Sequence, residues 1–259
     1  MITSLSIGTG GLGRFGNQLY TIASVIGISD KSGQPFGFPE WKNYDNRLFG
    51  DEVTNFSDVF ENPLPDLRGI TDFNNYDYFW GYRDIKLPVG NWSINAHLQS
   101  PKFFEDSIEK VRHYFKMKDE PEQNDYCAIH YRAGDYIDDP NAYHPRCSKE
   151  YYKEAIAMMP EGTVFIAYSD DIEAFYKLLK EIGCKQRFIV SRGDETYLDD
   201  FRSMKACKNF IISNSTFSAM AATLANHPDK KVIAPKRWFG TQAGDMNWND
   251  GYDKNWIVI

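Results

Sequence analysis

Residues 126–171, YCAIHYRAGDYIDDPNAYHPRCSKEYYKEAIAMMPEGTVFIAYSDD, decide the fold of this chain. The apolar runs at 126–131 and 163–168 are each short enough to be a strand, and a segment with helical periodicity at 149–158 separates them. Two strands joined by a helix of about ten residues predict a right-handed crossover within a parallel sheet. This stretch therefore predicts an α/β fold.

The alternation continues toward the carboxyl terminus and predicts a doubly wound lobe, in which ligands bind beyond the carboxyl ends of the strands. The further helices are predicted at 171–182, 197–207 and 216–225, and the further strands at 186–190, 209–212 and 231–234.

The amino-terminal half has a weaker pattern. An apolar run at 5–7 predicts a strand, and apolar residues at helical spacing predict helices at 17–29 and 103–115. Residues 36–84 are rich in Asn, Asp, Pro and aromatics, which indicates short strands and loops covering a surface or cleft.

A charged, proline-containing segment, MKDEPEQND at 117–125, is typical of a connection between domains. We therefore predict a first domain at 1–120 and a nucleotide-binding domain at 121–240. The remaining tail, 241–259, is predicted to pack back on the first domain.

Composition excludes several classes of protein. The 259 residues include 29 basic and 36 acidic side chains, and the net charge of -7 argues against a nucleic-acid partner. No window is apolar enough to span a membrane and no basic leader precedes an apolar run, so we expect a cytoplasmic protein without a transmembrane segment. The four cysteines, at 127, 147, 184 and 207, are widely spaced, which predicts free thiols.

Polar clusters follow three of the predicted strands: HYRAGD at 130–135, SDD at 169–171 and SNST at 213–216. Parallel strands bring their carboxyl ends to one edge, so these clusters should line one crevice. Arg132 can fork two hydrogen bonds onto a diphosphate and stabilise a departing phosphate. A carboxylate at 170 or 171 can accept from both N–H donors of a guanine edge. Ser215 and Thr216 open a helix whose free N–H groups attract phosphate.

Each cluster also has a structural interpretation. Asp170 and Asp171 could serve only as helix-capping carboxylates, and 213–216 is a good capping sequence. Arg132 and Asp135 could form a structural ion pair, and His130 could be a buried core histidine. The combination of all three clusters at successive strand ends favours a functional site.

Several of these segments resemble the α-1,2-fucosyltransferase family, and in the amino-terminal part also the protein O-fucosyltransferases. CAIHYRAGDY resembles the HxRRGDY motif of the former, and the GRFGNQ within 10–20 is similar to a segment of the latter. Further resemblances lie in FIAYSDD, IISNSTFSAMAATLA, LQSPKFFED and KKVIAPKRWF, so that the matches extend from about residue 10 to 239.

The resemblance implies a GT-B-like architecture with two Rossmann-like lobes and the donor site in the carboxyl-terminal lobe. It implies an inverting transfer of L-fucose from GDP-fucose to a hydroxyl of a glycan acceptor, with α-1,2 linkage, no cofactor and no metal. Arg132 then replaces the divalent cation on the diphosphate. The donor-binding residues implied are Asn17, Gln18, His130, Arg132, Asp171, Ser215, Thr216 and Phe217.

Two positions depart from the family pattern. Ala133 stands where the α-1,2-fucosyltransferases carry a second arginine, which leaves donor affinity and donor identity open. Ala219 and Met220 replace paired tryptophans, a change that affects packing more than chemistry. Asp135 is a candidate catalytic base, although an ion pair with Arg132 would depress its basicity.

Two other classes remain open at this stage. GTGGLG at 8–13 fits the GxGxxG pattern of an NAD(P)- or flavin-binding oxidoreductase, but the acidic residue expected about 20 positions later is not clearly present. The aromatic segment Tyr76–Trp80 could instead be the stacking platform of a non-catalytic carbohydrate-binding protein.

Overall fold

The structure is a computed structural model that describes residues 1–7, 9, 13–42, 55–136, 138–191 and 196–259. The GTGGLG motif lies largely outside the described residues. The chain divides into two units: the first is Met1–Asp119 with Asn249–Gly251, and the second is Glu120–Trp248 with Tyr252–Ile259.

The first unit contains a small parallel sheet. Its strands are β1 (Ile2–Thr3), β2 (Asn74–Tyr76) and β3 (Trp92–Ile94), in the order β1-β3-β2. The strand predicted at 5–7 is wrong, because the chain turns there and the Ile7 N–H donates to the Ser4 carbonyl. The pairing is instead made by Ile2, which lies opposite Trp92.

The long helix α1 (Phe15–Ser32) is the centre of the first unit and confirms the helix predicted at 17–29. It is buried on nearly all sides, as expected for a helix whose apolar residues are not confined to one stripe. It ends at Gly33, which adopts the left-handed conformation that glycine tolerates best. Gly27 allows the chain at Phe103 to approach the helix, because a Cβ there would lie 2.0 Å from the Phe103 carbonyl oxygen.

The helix predicted at 103–115 is shorter than expected. Two 3-10 turns, Pro101–Phe103 and Glu105–Ser107, precede the helix α2 (Ile108–Tyr114). The prolyl ring at 101 has no N–H to donate, which suits the first position of a turn rather than the interior of a helix.

The second unit has the predicted α/β alternation. Its elements are β4 (Asn124–Tyr131), α3 (Lys149–Ala157), β5 (Val164–Ser169), α4 (Ile172–Glu181), β6 (Arg187–Val190), α5 (Tyr197–Lys205), β7 (Cys207–Ile211), α6 (Thr216–Leu224), β8 (Val232–Ala234) and β9 (Ile257–Val258). All the strand pairs are parallel, and the sheet order is β6-β5-β4-β7-β8-β9. The mixed α/β fold with parallel sheets is confirmed.

Strand β4 lies inside the sheet, between β5 and β7. Its residues Cys127 and Ile129 are fully buried and pack with Tyr152 of α3 and Phe175 of α4. A parallel strand that is buried on both faces has a continuous apolar sequence, and this explains the residues CAI at the centre of β4. All four cysteines are free thiols.

The tail 241–259 divides between the units. Asn249–Gly251 belongs to the first unit, whereas Ile257 pairs with Ile233 and adds β9 to the sheet of the second. Strand β9 forms this edge of the sheet, where the Ile259 N–H donates to the Ala234 carbonyl and the Lys236 N–H donates to the Ile259 carbonyl. In the described part of the chain, no helix combines the length and the apolar character needed to cross a bilayer.

We predict that Gly27→Ala destabilises the protein by roughly 1–2 kcal/mol, because the overpacking against Phe103 exceeds the gain in helix propensity. Thermal unfolding followed by circular dichroism measures the change. Lys177→Ala in α4, at an exposed position, is the matched control and should leave the midpoint nearly unchanged. An unchanged or raised midpoint in Gly27→Ala would contradict the close approach.

Candidate active site

Arg132 follows the last residue of β4 and is held between two carboxylates. Its guanidinium lies 2.6 Å from Asp135 Oδ1 and 2.6 Å from Asp170 Oδ2. The side chain retains 20% exposure, and its Cζ lies 5.6 Å from the centre of the Tyr136 ring. The ion pair with Asp135 is therefore present, as the structural interpretation of the sequence anticipated.

Asp170, which the sequence offered together with Asp171 as a guanine ligand, binds groups of the loop after β4. While one of its oxygens binds Arg132, the other accepts a 2.7 Å hydrogen bond from the Ala133 N–H. Gly134 is required beside it, because a Cβ there would lie 2.4 Å from Asp170 Oδ2. The register explains the meeting: Tyr131 of β4 lies opposite Ser169 of β5, which makes the following residues neighbours.

Asp171 makes different contacts from Asp170. Its Oδ1 accepts a 3.0 Å hydrogen bond from the Ala174 N–H and so caps α4. The helix-capping interpretation of this carboxylate is therefore present in the structure. A carboxylate has about four lone-pair positions, so the cap leaves acceptor capacity for a ligand.

Ala133, at the position of the family's second arginine, is fully buried in the apolar core of the second unit. The Ala133 N–H donates a hydrogen bond to Asp170, and the Ala133 side chain packs in that core. An arginine at this position would have to bury or redirect a charge, which is costly unless the charge is paired.

His130 is buried at the end of β4, beside the start of α6. Its Nδ1 lies 2.8 Å from Ser213 Oγ and 2.9 Å from Ser218 Oγ. Burial, together with the Arg132 charge, lowers the pKa of His130 to about 3. The ring is therefore neutral at physiological pH, and a serine hydroxyl that donates to Nδ1 leaves the ring proton on Nε2.

Helix α6 begins next to His130. Ser215 occupies the N-cap position, but its side chain makes no capping bond to the helix. Thr216 and Phe217 are half-buried, and the Phe217 ring lies 5.9 Å from the His130 ring. The structure thus brings together the predicted residues of the first and third clusters, from β4 and from the strand β7–helix α6 junction.

Asn214 has a structural role that the sequence, which offered it only as a member of the SNST cluster, did not predict. Its Nδ2 donates to the carbonyls of Pro145 and Trp238, and its own carbonyl accepts from the Tyr136 hydroxyl. This buried amide fixes the loop after β4 against the start of α6. An asparagine between two serines after a strand is the only signal in the sequence, and it does not distinguish this role from capping.

Asn17 and Gln18 belong to the first unit. The Gln18 amide is used at both ends, since its Oε1 accepts from Trp41 Nε1 at 2.6 Å and its Nε2 donates to the Gly13 carbonyl at 2.8 Å. Asn17 packs against Gly13, where a Cβ would lie 2.3 Å from Asn17 Nδ2. Their role in donor binding stays a prediction.

Within the described residues, no three His, Cys, Asp or Glu side chains are grouped so that they could hold one metal ion. The metal-independent reaction implied by the sequence resemblance stays a prediction.

Comparison with known proteins identifies the family of this chain. The sequence profile of glycosyl transferase family 11 matches residues 73–259, which is more than half of the chain. The chain therefore belongs to glycosyl transferase family 11, and its predicted relation to the α-1,2-fucosyltransferase family is confirmed.

Two curated relatives from Escherichia coli are similar to this chain. An alpha-1,2-colitosyltransferase is 29% identical over 186 residues, covering 66% of this chain and 61% of the relative. The O-antigen biosynthesis glycosyltransferase WbnK is 34% identical over 120 residues, covering 43% and 38%. The matches thus span less than two thirds of either relative. A crystal structure of POFUT1 in complex with GDP aligns at 13% identity with a TM-score of 0.49, over 90% of this chain and 97% of that one.

We predict that His130 makes folding stability fall as the pH decreases from 7 to 5. The folded ring stays neutral down to about pH 3, whereas the unfolded ring binds a proton below about pH 6.5, so the unfolded state gains protons in this window. The loss is on the order of 2 kcal/mol. Unfolding in urea at both pH values measures it.

The matched variant is His130→Gln, which cannot titrate in this range. Its own stability at pH 7 does not matter for the test, because the readout is the difference between the two pH values. A pH-dependent loss as large as that of the wild type would show that His130 is not the group responsible.

Proposed function

We propose that this chain is an inverting, metal-independent fucosyltransferase that moves L-fucose from GDP-fucose to a hydroxyl of a glycan acceptor. The donor binds to the second unit, at the carboxyl ends of β4, β5 and β7. The observation that carries the proposal is Arg132, a partly exposed guanidinium fixed by two carboxylates next to the amino terminus of α6.

The reaction requires stabilisation of a leaving diphosphate. As the bond between the fucose C1 and the phosphate oxygen breaks, negative charge grows on that oxygen. Arg132 can donate two parallel hydrogen bonds to phosphate oxygens. The positive end of the α6 helix dipole and the Nε2 proton of His130 add fixed positive potential beside these oxygens.

The two aspartates contribute by fixing the position of the Arg132 guanidinium. Asp135 and Asp170 hold the guanidinium in place before the donor arrives, so little reorganisation is needed as charge develops. In this scheme Asp135 acts through Arg132, because a carboxylate paired with a guanidinium is a weaker base.

Asp171 is the proposed guanine ligand. Both oxygens of Asp170 are already bound, to Arg132 and to the Ala133 N–H. Asp171 uses only Oδ1 in the helix cap and can accept further hydrogen bonds from the two N–H donors of guanine.

The relative named as an alpha-1,2-colitosyltransferase supports the α-1,2 linkage and also makes colitose a second candidate for the transferred sugar. The buried alanine at 133, in place of the family's second arginine, is the feature of the donor site that leaves the sugar open. Turnover of GDP-fucose set beside GDP-colitose decides between the two.

We predict that GDP binds at least about 10-fold more tightly than ADP or UDP in isothermal titration with chelator present, because charged acceptors contribute about 1.5–3 kcal/mol per hydrogen bond. Equal affinity for the three nucleotides would contradict the proposed donor site.

Asp171→Asn separates the two roles of this carboxylate. Asparagine caps helices as well as aspartate does, so the stability should remain within about 0.5 kcal/mol of the wild type. An amide cannot accept from both guanine N–H donors through two oxygens, so the preference for GDP over ADP should be lost. If the variant keeps the preference for GDP over ADP, Asp171 serves only as the helix cap and does not bind guanine.

We predict that Arg132→Ala lowers turnover of the GDP-sugar by roughly two to four orders of magnitude, the range for loss of preorganised charge stabilisation. Arg187→Ala, at an exposed position of β6, is the control and should keep full activity. Steady-state release of GDP measures both, with and without chelator. Activity near the wild-type level in Arg132→Ala would remove the central assignment.

A further inference from the structure

Two loops of the second unit carry aromatic rings that the proposed donor site does not use. One loop, 139–146, lies between β4 and α3, and the other, 238–246, follows β8. We call the rings of Tyr143, His144 and Phe239 the aromatic cluster. Tyr143 is 42% exposed, and the other two side chains are half-buried. Apolar residues that are exposed singly are normal on a protein, whereas grouped ones mark interaction sites.

The three rings of the aromatic cluster contact one another. The Tyr143 ring meets the His144 ring edge-on at a centroid distance of 4.7 Å and the Phe239 ring at 5.7 Å. The His144 and Phe239 rings lie 5.6 Å apart. Behind them is Trp248, a buried residue whose ring contacts Phe239 at 6.3 Å. The cluster therefore rests on a buried ring and presents a supported apolar surface.

Contacts between the two loops fix the position of Tyr143. Its carbonyl accepts from the Gly240 N–H at 3.4 Å, and its hydroxyl donates to the Met246 sulfur at 3.0 Å. Gly240 permits the close approach of the loops, because a Cβ there would lie 2.1 Å from the Ala142 carbonyl oxygen. A ring that is already held in place loses little conformational entropy when a ligand packs against it.

Polar groups lie beside the aromatic cluster on the same two loops. The Thr241 hydroxyl donates to Asn141 Oδ1 at 3.2 Å, and the Gln242 N–H donates to the Asn141 carbonyl at 2.9 Å. All three side chains are exposed. Sites for small polar ligands combine aromatic walls with a few polar groups that fix the orientation of the ligand. A pyranose matches this combination, since its C–H face is apolar and its hydroxyls surround the ring.

The aromatic cluster is continuous with the proposed donor site through Tyr136. The Tyr136 ring stacks on His144, with 5.1 Å between the centroids and 18° between the planes. On its other side, the centre of the Tyr136 ring lies 5.6 Å from Arg132 Cζ. The Tyr136 hydroxyl donates to the Asn214 carbonyl shortly before α6. A row of rings thus leads from the guanidinium to Tyr143 within one unit.

The order of groups along this row indicates which sugar meets the exposed end. The donor sugar is bonded directly to the phosphate, so it lies beside Arg132. Two rings, those of Tyr136 and His144, separate Arg132 from Tyr143. At that separation, Tyr143 meets a sugar of the second substrate rather than the sugar of the donor.

We propose that the aromatic cluster binds a pyranose of the acceptor glycan, with the apolar face of the sugar against the rings of Tyr143 and Phe239. This inference rests on the proposed transferase function and deepens it, because it names the surface that holds the second substrate. That surface belongs to the same unit as the proposed donor site.

Sugar binding is tested on the full chain by saturation-transfer NMR, with titrations of the methyl pyranosides of galactose, glucose, mannose and their N-acetylated forms. We expect at least one glycoside to bind the wild type and Tyr143→Ala to weaken it by about 10-fold or more. Tyr176→Ala removes a ring of α4 that is 50% exposed, and this matched control should bind as the wild type does. A wild type that binds none of the glycosides, or a Tyr143→Ala that binds them as tightly as the control, overturns the site.

A second variant separates the ring of Tyr143 from its hydroxyl. Tyr143→Phe keeps the aromatic face and loses only the bond to the Met246 sulfur, so the glycoside affinity should stay within about twofold of the wild type. A loss as large as that in Tyr143→Ala would show that the ring face does not bind the sugar.

Titration with GDP and GDP-fucose decides which substrate uses the aromatic cluster. Tyr143→Ala should bind both nucleotides within about twofold of the wild-type affinity, because the donor contacts are made at Arg132. In steady-state transfer the acceptor KM should rise by about 10-fold and the donor KM should stay unchanged. Weaker binding of GDP-fucose with unchanged binding of GDP would assign Tyr143 to the donor sugar and overturn the acceptor site.

Outcomes for the inference and for the proposed function differ. A wild type that does not bind GDP removes the transferase proposal, while the glycoside titrations still decide whether the aromatic cluster binds a sugar. Normal GDP binding together with an unchanged glycoside affinity in Tyr143→Ala removes the acceptor site and leaves the transferase proposal intact.

Discussion

The contact between Arg132 and Asp170 is the constraint on which the candidate site depends. It joins the ends of two adjacent strands, and the same carboxylate also binds the Ala133 N–H. One side chain thus fixes both the backbone and the charge of the loop after β4. With Asp135 on its other side, the guanidinium lies in one orientation without a ligand, which is the condition under which a charge contributes most to stabilising a developing anion.

Two buried groups extend this constraint to β7 and α6. His130 contacts Ser213 and Ser218, and the Asn214 amide binds the carbonyls of Pro145 and Trp238. Buried polar groups of this kind are costly unless each finds its partner, so they define one arrangement of the loops rather than several. Burial depresses the pKa of His130 and keeps its ring neutral, which costs folding stability as the pH decreases.

The first unit also positions side chains at the edge of a parallel sheet, but these side chains differ from those of the second unit. Its sheet edge carries aromatic rings and an imidazole in place of guanidinium and carboxylates, and Asp250, far away in the sequence, holds the two segments that present them. An exposed tyrosine ring beside a half-buried tryptophan offers an apolar surface, whereas a fixed cation attracts an anion.

Local periodicity by itself determined the helices of the second unit and its strands β4 to β8, because apolar runs of strand length alternate there with amphipathic helices. It also placed Arg132, His130 and the SNST segment at strand ends, and the motifs led to the family. It did not predict β1, β3 or β9, whose pairing partners are distant in sequence, and for β2 it indicated only that short strands lie within 36–84. Only the tertiary structure decided that Asp170 rather than Asp171 binds Arg132, that Gln18 is engaged within its own unit, and that His97 meets Tyr78 and Trp80. The reason is that strand register and chain packing bring these residues together, and neither is encoded in the spacing of residues along the chain.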